Sequence, residues 1–294
     1  MKILIFSLGE KGYSVVKALT DLSSVKTVHC VIGRDESVTD DYSTKLTSYC
    51  DGLNIKHFSR RDIIPDKDSY DFFLAVGWRW MIRDVPQEKL IVFHDSLLPR
   101  YRGFAPLINA LINKEKRTGV TALLAAEEYD RGNILLQKSL PITYPTNIER
   151  EIHRIAVVYA TLAVELVTKL GKRRINRKGR AQDEKKATYS LWRDEEDYRI
   201  DWENDAKDIE HFVSCVGRPY RGASASLDGS TVRILKARAR RDIRIENRCP
   251  GKVVFVERNL PVVVCGRGLL VLEDVRSERG ESVLPLKRFR SRFS

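Results

Sequence analysis

The sequence predicts two domains: an α/β domain with a mostly parallel open sheet, and a smaller β-barrel domain after it. In the first half, short apolar segments alternate with segments of helical periodicity, which is the pattern of βαβ units. In the second half, short strand-like segments are separated by glycine-bearing turns, which is typical of a small barrel. The length of 294 residues suits two domains of ordinary size.

The predicted strands of the first half are continuous apolar runs, as expected for strands that are buried on both faces of a sheet. They lie at Lys2–Phe6, Val25–Ile32, Asp71–Val76, Leu90–His94, Gly119–Ala126 and Ile134–Ser139. A helical pattern over Gly12–Leu22 separates the first two strands. The clearest helix closes this half, because Thr146 and Glu149 have capping-box spacing, apolar residues recur at helical intervals, and Gly171 supplies a terminal glycine.

The domain boundaries follow from a change in composition. Residues 172–187 are strongly polar and are predicted to form a basic linker between a first domain, residues 1–171, and a second domain, residues 188–294. The second domain is predicted to begin with a short helix at Ala206–Val216. Its strands are predicted at Val232–Ala237, Lys252–Glu257, Pro261–Cys265 and Leu269–Glu273.

Composition excludes several functional classes. No apolar run approaches the roughly 18–20 residues that a membrane helix needs, and the apolar start of the chain is interpreted as a buried strand, so a cytoplasmic location is expected. The five cysteines are scattered without a CxxC pair, and the five histidines form no HExxH motif. The sequence therefore predicts neither a disulfide framework nor a metal site.

The positive charge is concentrated in the second half of the chain. The net charge is +12; residues 1–170 carry 23 basic and 21 acidic side chains, and residues 171–294 carry 29 and 19. A basic surface of this kind attracts anionic partners such as nucleic acid or a nucleotide-linked substrate. A solvated basic surface without a partner remains an equal alternative.

Two polar segments directly follow predicted strands, where ligands bind in open α/β sheets. His94 ends one strand and begins the segment HDSLLPRYRG; its imidazole could exchange a proton near neutral pH or could simply bond a loop backbone. Asp130 lies in EEYDRG after a later strand, as a carboxylate that relays protons or as part of a solvated turn. The LGEKG segment near the start matches neither the dinucleotide nor the Walker glycine motif, which disfavours nicotinamide and ATP enzymes.

The order of these two segments resembles the paired active-site signature of the folate-dependent formyltransferases. HDSLLPRYRG is followed by EEYDRGNIL, and further segments, RIDW, GRPYRGA, PGKVV and GRGLLVL, are similar to the C-terminal barrel of the two-domain members that act on tRNA or on sugar nucleotides. The resemblance covers nearly the whole chain. It implies a Rossmann-like first domain and an OB-like barrel as the second.

The resemblance also implies a reaction and a site. The formyl donor would be 10-formyltetrahydrofolate, and the acceptor amine would attack the formyl carbon through a tetrahedral oxyanion. His94 would assist proton removal or stabilise the charge, and Asp130 would orient His94 and relay protons. The other residues implied are, for the donor, Gly77, Trp80, Met81, Ile82, Ser96, Leu97, Leu98, Pro99, Glu127 and Tyr129, and, for the acceptor, Arg102 and Gly103.

One position departs from the family pattern. The family has Asn-x-His, with the amide helping to hold the oxyanion, whereas this chain has Val92 there. Losing one such donor typically costs about 100- to 1,000-fold in rate. Four explanations stay open: another group donates, with Asn109 as one candidate; activity is low; the chemistry differs; or the chain is a non-catalytic folate- or partner-binding homologue.

The acceptor is predicted from the segment after the second strand. A member acting on tRNA would carry a basic insertion there, whereas Gly33–Leu46 is short and has more acidic than basic residues, so it would repel a phosphate backbone. The PYRGA segment also resembles the sugar-type C-terminal domain. We therefore expect an amino-sugar nucleotide or another small phosphorylated amine, with methionyl-tRNA as the alternative that the basic second half supports. Assembly as a homodimer is left open.

Overall fold

The computed structural model describes residues 1–294. The strands are β1 Lys2–Ser7, β2 Thr27–Ile32, β3 His57–Ser59, β4 Phe72–Val76, β5 Leu90–His94, β6 Arg102–Gly103, β7 Arg117–Leu124, β8 Ile134–Pro141, β9 Tyr189–Ser190, β10 Ala223–Leu227, β11 Ser230–Arg240, β12 Val253–Glu257, β13 Leu260–Val264 and β14 Leu269–Ser277. The α-helices are α1 Gly9–Thr20, α2 Ser43–Gly52, α3 Pro106–Ile112, α4 Ile148–Gly171 and α5 Ala206–Val216. None of these helices combines the length and the apolar composition that crossing a bilayer requires.

The chain divides into two compact units. The first contains residues 1–36, 40–143 and 150–192, and the second contains residues 37–39, 144–149 and 193–294. The segment 172–187, which the sequence predicts to be a linker, belongs to the first unit. The predicted domain boundaries at 171 and 188 stay a prediction.

The first unit is built on a seven-stranded sheet in the order β3-β2-β1-β4-β5-β7-β8. The five strands β1 to β5 run parallel, and β7 and β8 are antiparallel additions at one edge. The predicted mostly parallel α/β sheet is therefore confirmed. Because parallel strands end at the same edge, the carboxyl ends of β1, β4 and β5 lie side by side, and this edge carries the candidate site.

Apolar periodicity explains how α4 covers this sheet. Its buried side chains recur at Ile155, Tyr159, Leu162 and Leu166, three or four residues apart, which places them on one helix face. The Tyr159 ring stacks on Phe93 of β5 at 5.9 Å between centroids. Each fully buried side chain of this kind contributes about 1.5–3 kcal/mol. The helix therefore fixes the strand that ends in His94.

The second unit contains a five-stranded antiparallel sheet in the order β10-β11-β14-β13-β12. A β-bulge at Lys236 interrupts the pairing of β11 with β14, and β11 continues to Arg240, beyond the predicted end at Ala237. Helix α5 has the predicted bounds, and its Asp205 cap accepts a 2.9 Å bond from the Lys207 amide. The small β domain predicted to follow the α/β domain is confirmed, its sheet is antiparallel, and closure of that sheet into a barrel stays a prediction.

Several elements were not predicted. Helix α2 has few apolar residues to show a period, β3 has only three residues, and β10 is the small-residue sequence ASASL. Strand β2 begins at Thr27, later than predicted, because the Val25 amide bonds the Leu22 carbonyl in a turn. Short or weakly apolar elements give too little periodicity to recognise.

Candidate active site

His94 lies at the carboxyl end of β5 with both ring nitrogens engaged. Its side chain is buried; Nε2 is 2.7 Å from the Tyr101 carbonyl oxygen, and Nδ1 is 3.4 Å from Oδ1 of Asp130. A carbonyl oxygen only accepts, so Nε2 carries a hydrogen. An attractive contact between Nδ1 and the carboxyl group then requires a further proton on one of the two. The contact therefore places the imidazole, which can exchange a proton, beside a carboxyl group, as the predicted roles of the two residues require.

Asp130 is held in a tight turn after β7. Its φ of 55° lies in the left-handed region, which aspartate tolerates better than most residues. Oδ2 accepts a 2.8 Å hydrogen bond from the Gly103 amide, which leaves Oδ1 directed at His94. The carboxylate is 12% exposed, so solvent screens it only weakly. Asp130 and His94, separated by 36 positions in the sequence, are brought together as predicted.

The backbone of the loop after His94 is held by hydrogen bonds from side chains of the loop and of the neighbouring strands. Ser96 Oγ donates to the Arg100 carbonyl at 2.6 Å, so this hydroxyl serves the turn. Thr121 Oγ1 donates to the Ser96 carbonyl at 2.6 Å and accepts from the Leu98 amide at 3.2 Å. Gln137 Nε2 donates to the Leu98 carbonyl at 2.8 Å. The loop that contains the predicted donor-binding residues Ser96 to Pro99 is therefore held in place, with Leu98 itself buried, and its role in donor binding stays a prediction.

Behind His94 lies a buried polar cluster that the sequence did not indicate. Asp95 accepts hydrogen bonds from the Lys11 ammonium and the Tyr159 hydroxyl. Burial acts to raise the pKa of Asp95, but the adjacent Lys11 charge and the two hydrogen bonds outweigh it, so the pKa lies below its usual range. Burial and the Asp95 charge hold the pKa of Tyr159 well above its usual value. This cluster ties the residue directly after His94 to Lys11 of α1 and Tyr159 of α4.

The loop after β4 combines a tight glycine turn with partly buried apolar side chains. Gly77 has φ 62°, and a Cβ there would come 2.6 Å from the Leu8 carbonyl oxygen, so the tight turn requires glycine. Ile82 is partly buried against the same apolar core as Val92, while Met81 is half exposed. The buried Trp78 indole N–H has no hydrogen-bond partner within the protein. Apolar walls with few polar groups are typical of cofactor pockets, so these residues fit a pterin.

Trp80 lies at the outer side of this loop. Its ring packs edge-on against Trp78 at 4.9 Å between centroids, and the Arg60 guanidinium lies 4.7 Å above it. On the other predicted wall, Glu127 is exposed and Tyr129 is 59% exposed, with its ring 5.8 Å from that of Phe104. The predicted role of Glu127 and Tyr129 in donor binding stays a prediction.

The side chain of Arg102 differs from the prediction. It is fully buried, and its guanidinium donates to Glu184 through two 2.8 Å bonds and to Gln182 Oε1 at 2.8 and 3.1 Å. Pairing with Glu184 raises the pKa of Arg102 further above its already high value. The predicted contact of Arg102 with the acceptor is contrary to this arrangement, because no face of the guanidinium reaches solvent. Gly103 contributes its amide to Asp130.

The structure shows no side-chain amide directed at His94 from either position that the sequence analysis considered. Val92 has no amide, and the amide of Asn109 is bonded elsewhere. Val92 is partly buried and packs against the apolar cluster of Leu98, Leu123 and Ile134. Asn109 donates its side-chain amide to the Ala105 carbonyl at 3.0 Å within α3. The face of β5 that carries Val92 is therefore apolar up to His94.

The fold and the site define an α/β protein with a buried histidine–aspartate contact at the carboxyl edge of its sheet. The family description "Formyl transferase" matches residues 76–166, and "Formyl transferase, C-terminal domain" matches residues 193–291. The first match covers the predicted donor loop, His94 and Asp130. The second covers most of the antiparallel unit.

Similar proteins agree with these matches. A methionyl-tRNA formyltransferase of Thermodesulfovibrio yellowstonii is 34% identical over 208 residues, which are 71% of this chain and 64% of that protein. The aligned part therefore spans less than two-thirds of that relative. The chain belongs to the folate-dependent formyltransferase family.

Two solved structures share the fold. An N-formyltransferase of Helicobacter canadensis, in complex with folinic acid and dTDP-3-aminofucose, has a TM-score of 0.67 and 16% identity, covering 93% of this chain and 99% of that one. HypX of Aquifex aeolicus, in complex with tetrahydrofolic acid, has a TM-score of 0.60 and 21% identity, covering 97% of this chain and 45% of that one.

Proposed function

We propose that this protein transfers a formyl group from 10-formyltetrahydrofolate to the primary amine of an amino-sugar nucleotide or another small phosphorylated amine. The observation that carries the proposal is the contact between His94 and Asp130 at the carboxyl edge of the sheet, with Nδ1 and Oδ1 3.4 Å apart. An amine must lose a proton when it acquires a formyl group, and this buried pair is arranged to take one.

Different residues of the site would bind the donor and transfer the proton. When bound, 10-formyltetrahydrofolate supplies an activated formyl group. Gly77 to Ile82 and the turn at Asp130 would hold its pterin by apolar contact and backbone hydrogen bonds. His94, paired with Asp130, would take the amine proton or, when protonated, stabilise negative charge on the formyl oxygen. Asp130 would orient the imidazole and hold the proton in turn, and the pair would return a proton to N10 of the folate as the bond between N10 and the formyl carbon breaks.

The segment Gly33–Leu46 favours a small acceptor over tRNA. Its acidic residues are tied into local structure: Asp35 pairs with Arg79, Asp40 with Lys45 at 2.5 Å, and Asp41 accepts from the Ser43 amide and hydroxyl at 2.9 and 2.7 Å. They therefore form a fixed feature of this edge. Binding of a phosphate backbone depends on cations that release counterions, and this segment has only Arg34 and Lys45, of which Lys45 is paired with Asp40.

Methionyl-tRNA is the second candidate acceptor, and two observations favour it. The relative aligned above is a methionyl-tRNA formyltransferase. The second unit also presents Arg288, Arg290 and Arg292 on its surface, with the intervening Ser291 and following Phe293 buried so that the backbone is anchored. Arginines fixed in this way suit phosphate oxygens.

Direct transfer assays distinguish these acceptors. The protein is incubated with 10-formyltetrahydrofolate and either a panel of dTDP- and UDP-linked amino sugars or methionyl-tRNA, and formylated product is measured by mass spectrometry. We expect product with one of the amino sugars, a shallow dependence on salt, and loss of product in His94→Ala. Turnover restricted to methionyl-tRNA, falling steeply between 50 and 200 mM salt, would replace the proposed acceptor with tRNA. Folate binding without transfer to any amine would overturn the proposed activity.

A further inference from the structure

Residues 180–190, here called the strap, run across the two loops that carry the catalytic pair. Arg180 exchanges two 2.8 Å backbone hydrogen bonds with Ile134, just after the Asp130 turn. Further along, β9 pairs with β6, so that the Arg102 amide bonds the Thr188 carbonyl at 2.8 Å and the Phe104 amide bonds the Ser190 carbonyl at 3.0 Å. The strap is therefore attached both to the turn of Asp130 and to the loop that follows His94.

Gln182 connects the strap to the backbone of Asp130. Its Nε2 donates to the Asp130 carbonyl at 2.7 Å and to the Gly132 carbonyl at 2.8 Å. Its Oε1 accepts from Nε and Nη2 of the buried Arg102 at 3.1 and 2.8 Å. All hydrogen-bonding groups of this carboxamide are used, and two of them close the turn that presents the carboxylate. A side chain with a complete set of partners is held in one orientation.

Thr188 holds the residue that fixes His94. Its Oγ1 accepts a 2.9 Å hydrogen bond from the Tyr101 amide, and the carbonyl of the same Tyr101 lies 2.7 Å from Nε2 of His94. Tyr101 has φ 59°, a left-handed conformation that a tyrosine rarely adopts. The strap thus bonds both positive-φ residues, Tyr101 and Asp130, that set the geometry of the pair. Strained backbone of this kind persists only where its surroundings determine it.

We propose that Gln182 and Thr188 are positioning residues for formyl transfer, acting through Asp130 and His94. This inference rests on the proposed function for the roles of His94 and Asp130. The strap would then have a role in catalysis, although most of it lies in the segment that the sequence analysis predicted to be a linker. A 1 Å displacement of a catalytic group can cost about 100-fold in rate, so loss of these bonds is expected to lower kcat far more than it weakens folate binding.

The matched control is Asn133, whose side-chain amide donates to the Lys178 carbonyl at 2.7 Å. This bond also joins the Asp130 loop to the segment before the strap, but it touches neither catalytic residue. We expect Gln182→Ala to lower kcat about 10- to 100-fold, with the KM for 10-formyltetrahydrofolate changed by less than about threefold. We expect Asn133→Ala to leave kcat within about threefold of the unaltered protein.

A second variant separates positioning from folding. Gln182→Glu keeps an acceptor for Arg102 but can no longer donate to the Asp130 and Gly132 carbonyls. Where Gln182→Ala unfolds, as judged by circular dichroism, Gln182→Glu provides the kinetic comparison. We expect it to show the same fall in kcat.

The Thr188 bond has its own readout, which does not depend on turnover. In protein with ¹⁵N-labelled histidine, the His94 ring signals are assigned by their absence in His94→Ala. We expect Thr188→Val to shift the Nε2 signal and Thr188→Ser, which keeps the hydroxyl, to restore it. Unchanged signals in Thr188→Val, or normal kcat in Gln182→Glu, would overturn the role of the strap. Normal turnover in His94→Ala would instead overturn the proposed function.

Discussion

Nδ1 of His94 faces Oδ1 of Asp130 at 3.4 Å, and the opposite nitrogen of the ring is occupied by a backbone carbonyl. The ring therefore has one side for anchoring and one side for chemistry. Asp130 is arranged in the same way, because Oδ2 accepts from the Gly103 amide and only Oδ1 faces the imidazole. The two atoms that face each other, Nδ1 and Oδ1, are thus held in position by the contacts of their neighbours.

This arrangement predicts the effect of removing either member. His94→Ala removes the proton-handling group, and Asp130→Asn keeps an acceptor for the Gly103 amide but loses the charge that faces the imidazole. We expect each to lower kcat by about 100-fold or more, a size typical of general acid–base groups. Steady-state kinetics with the acceptor found in the panel measures this.

The control for these substitutions is Glu128→Gln, in the same turn as Asp130. Glu128 is exposed and pairs with Arg131 on the surface, so its carboxylate does not face His94. We expect its kcat to stay near that of the unaltered protein. An equal loss in Glu128→Gln would show that general disturbance of the turn, not the charge of Asp130, lowers the rate.

The donor loop predicts stabilisation by a reduced folate. A ligand that binds only the folded state at about 100 times its Kd raises the free energy of unfolding by roughly 2.7 kcal/mol. We expect 5-formyltetrahydrofolate to raise Tm and p-aminobenzoylglutamate, which lacks the pterin, to have little effect. Calorimetry measures both; equal shifts with the two compounds would argue against a pterin slot at Gly77–Ile82.

Part of this site follows from the sequence and part does not. His94 ends a parallel strand, so its place at the carboxyl edge of the sheet could be predicted. The strand before Asp130, β7, runs antiparallel to β5, so the proximity of Asp130 to His94 followed only from the family resemblance. The place of Gln182 could not be predicted, because a polar residue in an aperiodic segment looks the same whether it is solvated or fully bonded. Lys11 and Asp95 are 84 positions apart and carry no pattern that links them. The burial of Arg102 depends on where its side chain points, which a motif does not specify.

The cluster behind His94 predicts the pH dependence of stability on the acid side. The pKa of Asp95 is lowered in the folded protein, so its stabilising contribution is present above the unfolded pKa of about 3.9 and is lost as pH falls through the folded value. Asp95→Asn leaves the Lys11 charge without its buried partner, at a cost of about 3–5 kcal/mol near neutral pH. Urea unfolding at pH 7 and at pH 3 tests this, because the difference between the two proteins is expected to shrink at the lower pH.

Tyr159 predicts the pH dependence of stability on the alkaline side. Its pKa is raised in the folded protein, so the contribution of the neutral phenol is present below the unfolded pKa of about 10 and is lost as pH rises through the folded value. Tyr159→Phe removes this titration, and its free energy of unfolding is expected to fall less steeply above pH 10. Unfolding curves at pH 8 and pH 10.5 measure the slope. An unchanged slope in Tyr159→Phe would contradict the assignment.

Val92 provides a test in which two explanations of the site predict opposite results. If the protein is an ordinary formyltransferase that lacks one oxyanion donor, Val92→Asn places an amide near the developing charge and raises turnover. If the pocket is built around an apolar residue, the amide is buried without a partner and costs about 1–3 kcal/mol. Val92 packs against Leu98, Leu123 and Ile134, so we expect no gain in kcat and a loss of stability. The matched control is Val92→Ala, which removes apolar contact without adding a polar group. Kinetics and urea unfolding of both variants decide between the explanations, and a clear gain of turnover in Val92→Asn alone would show that the missing amide limits the enzyme.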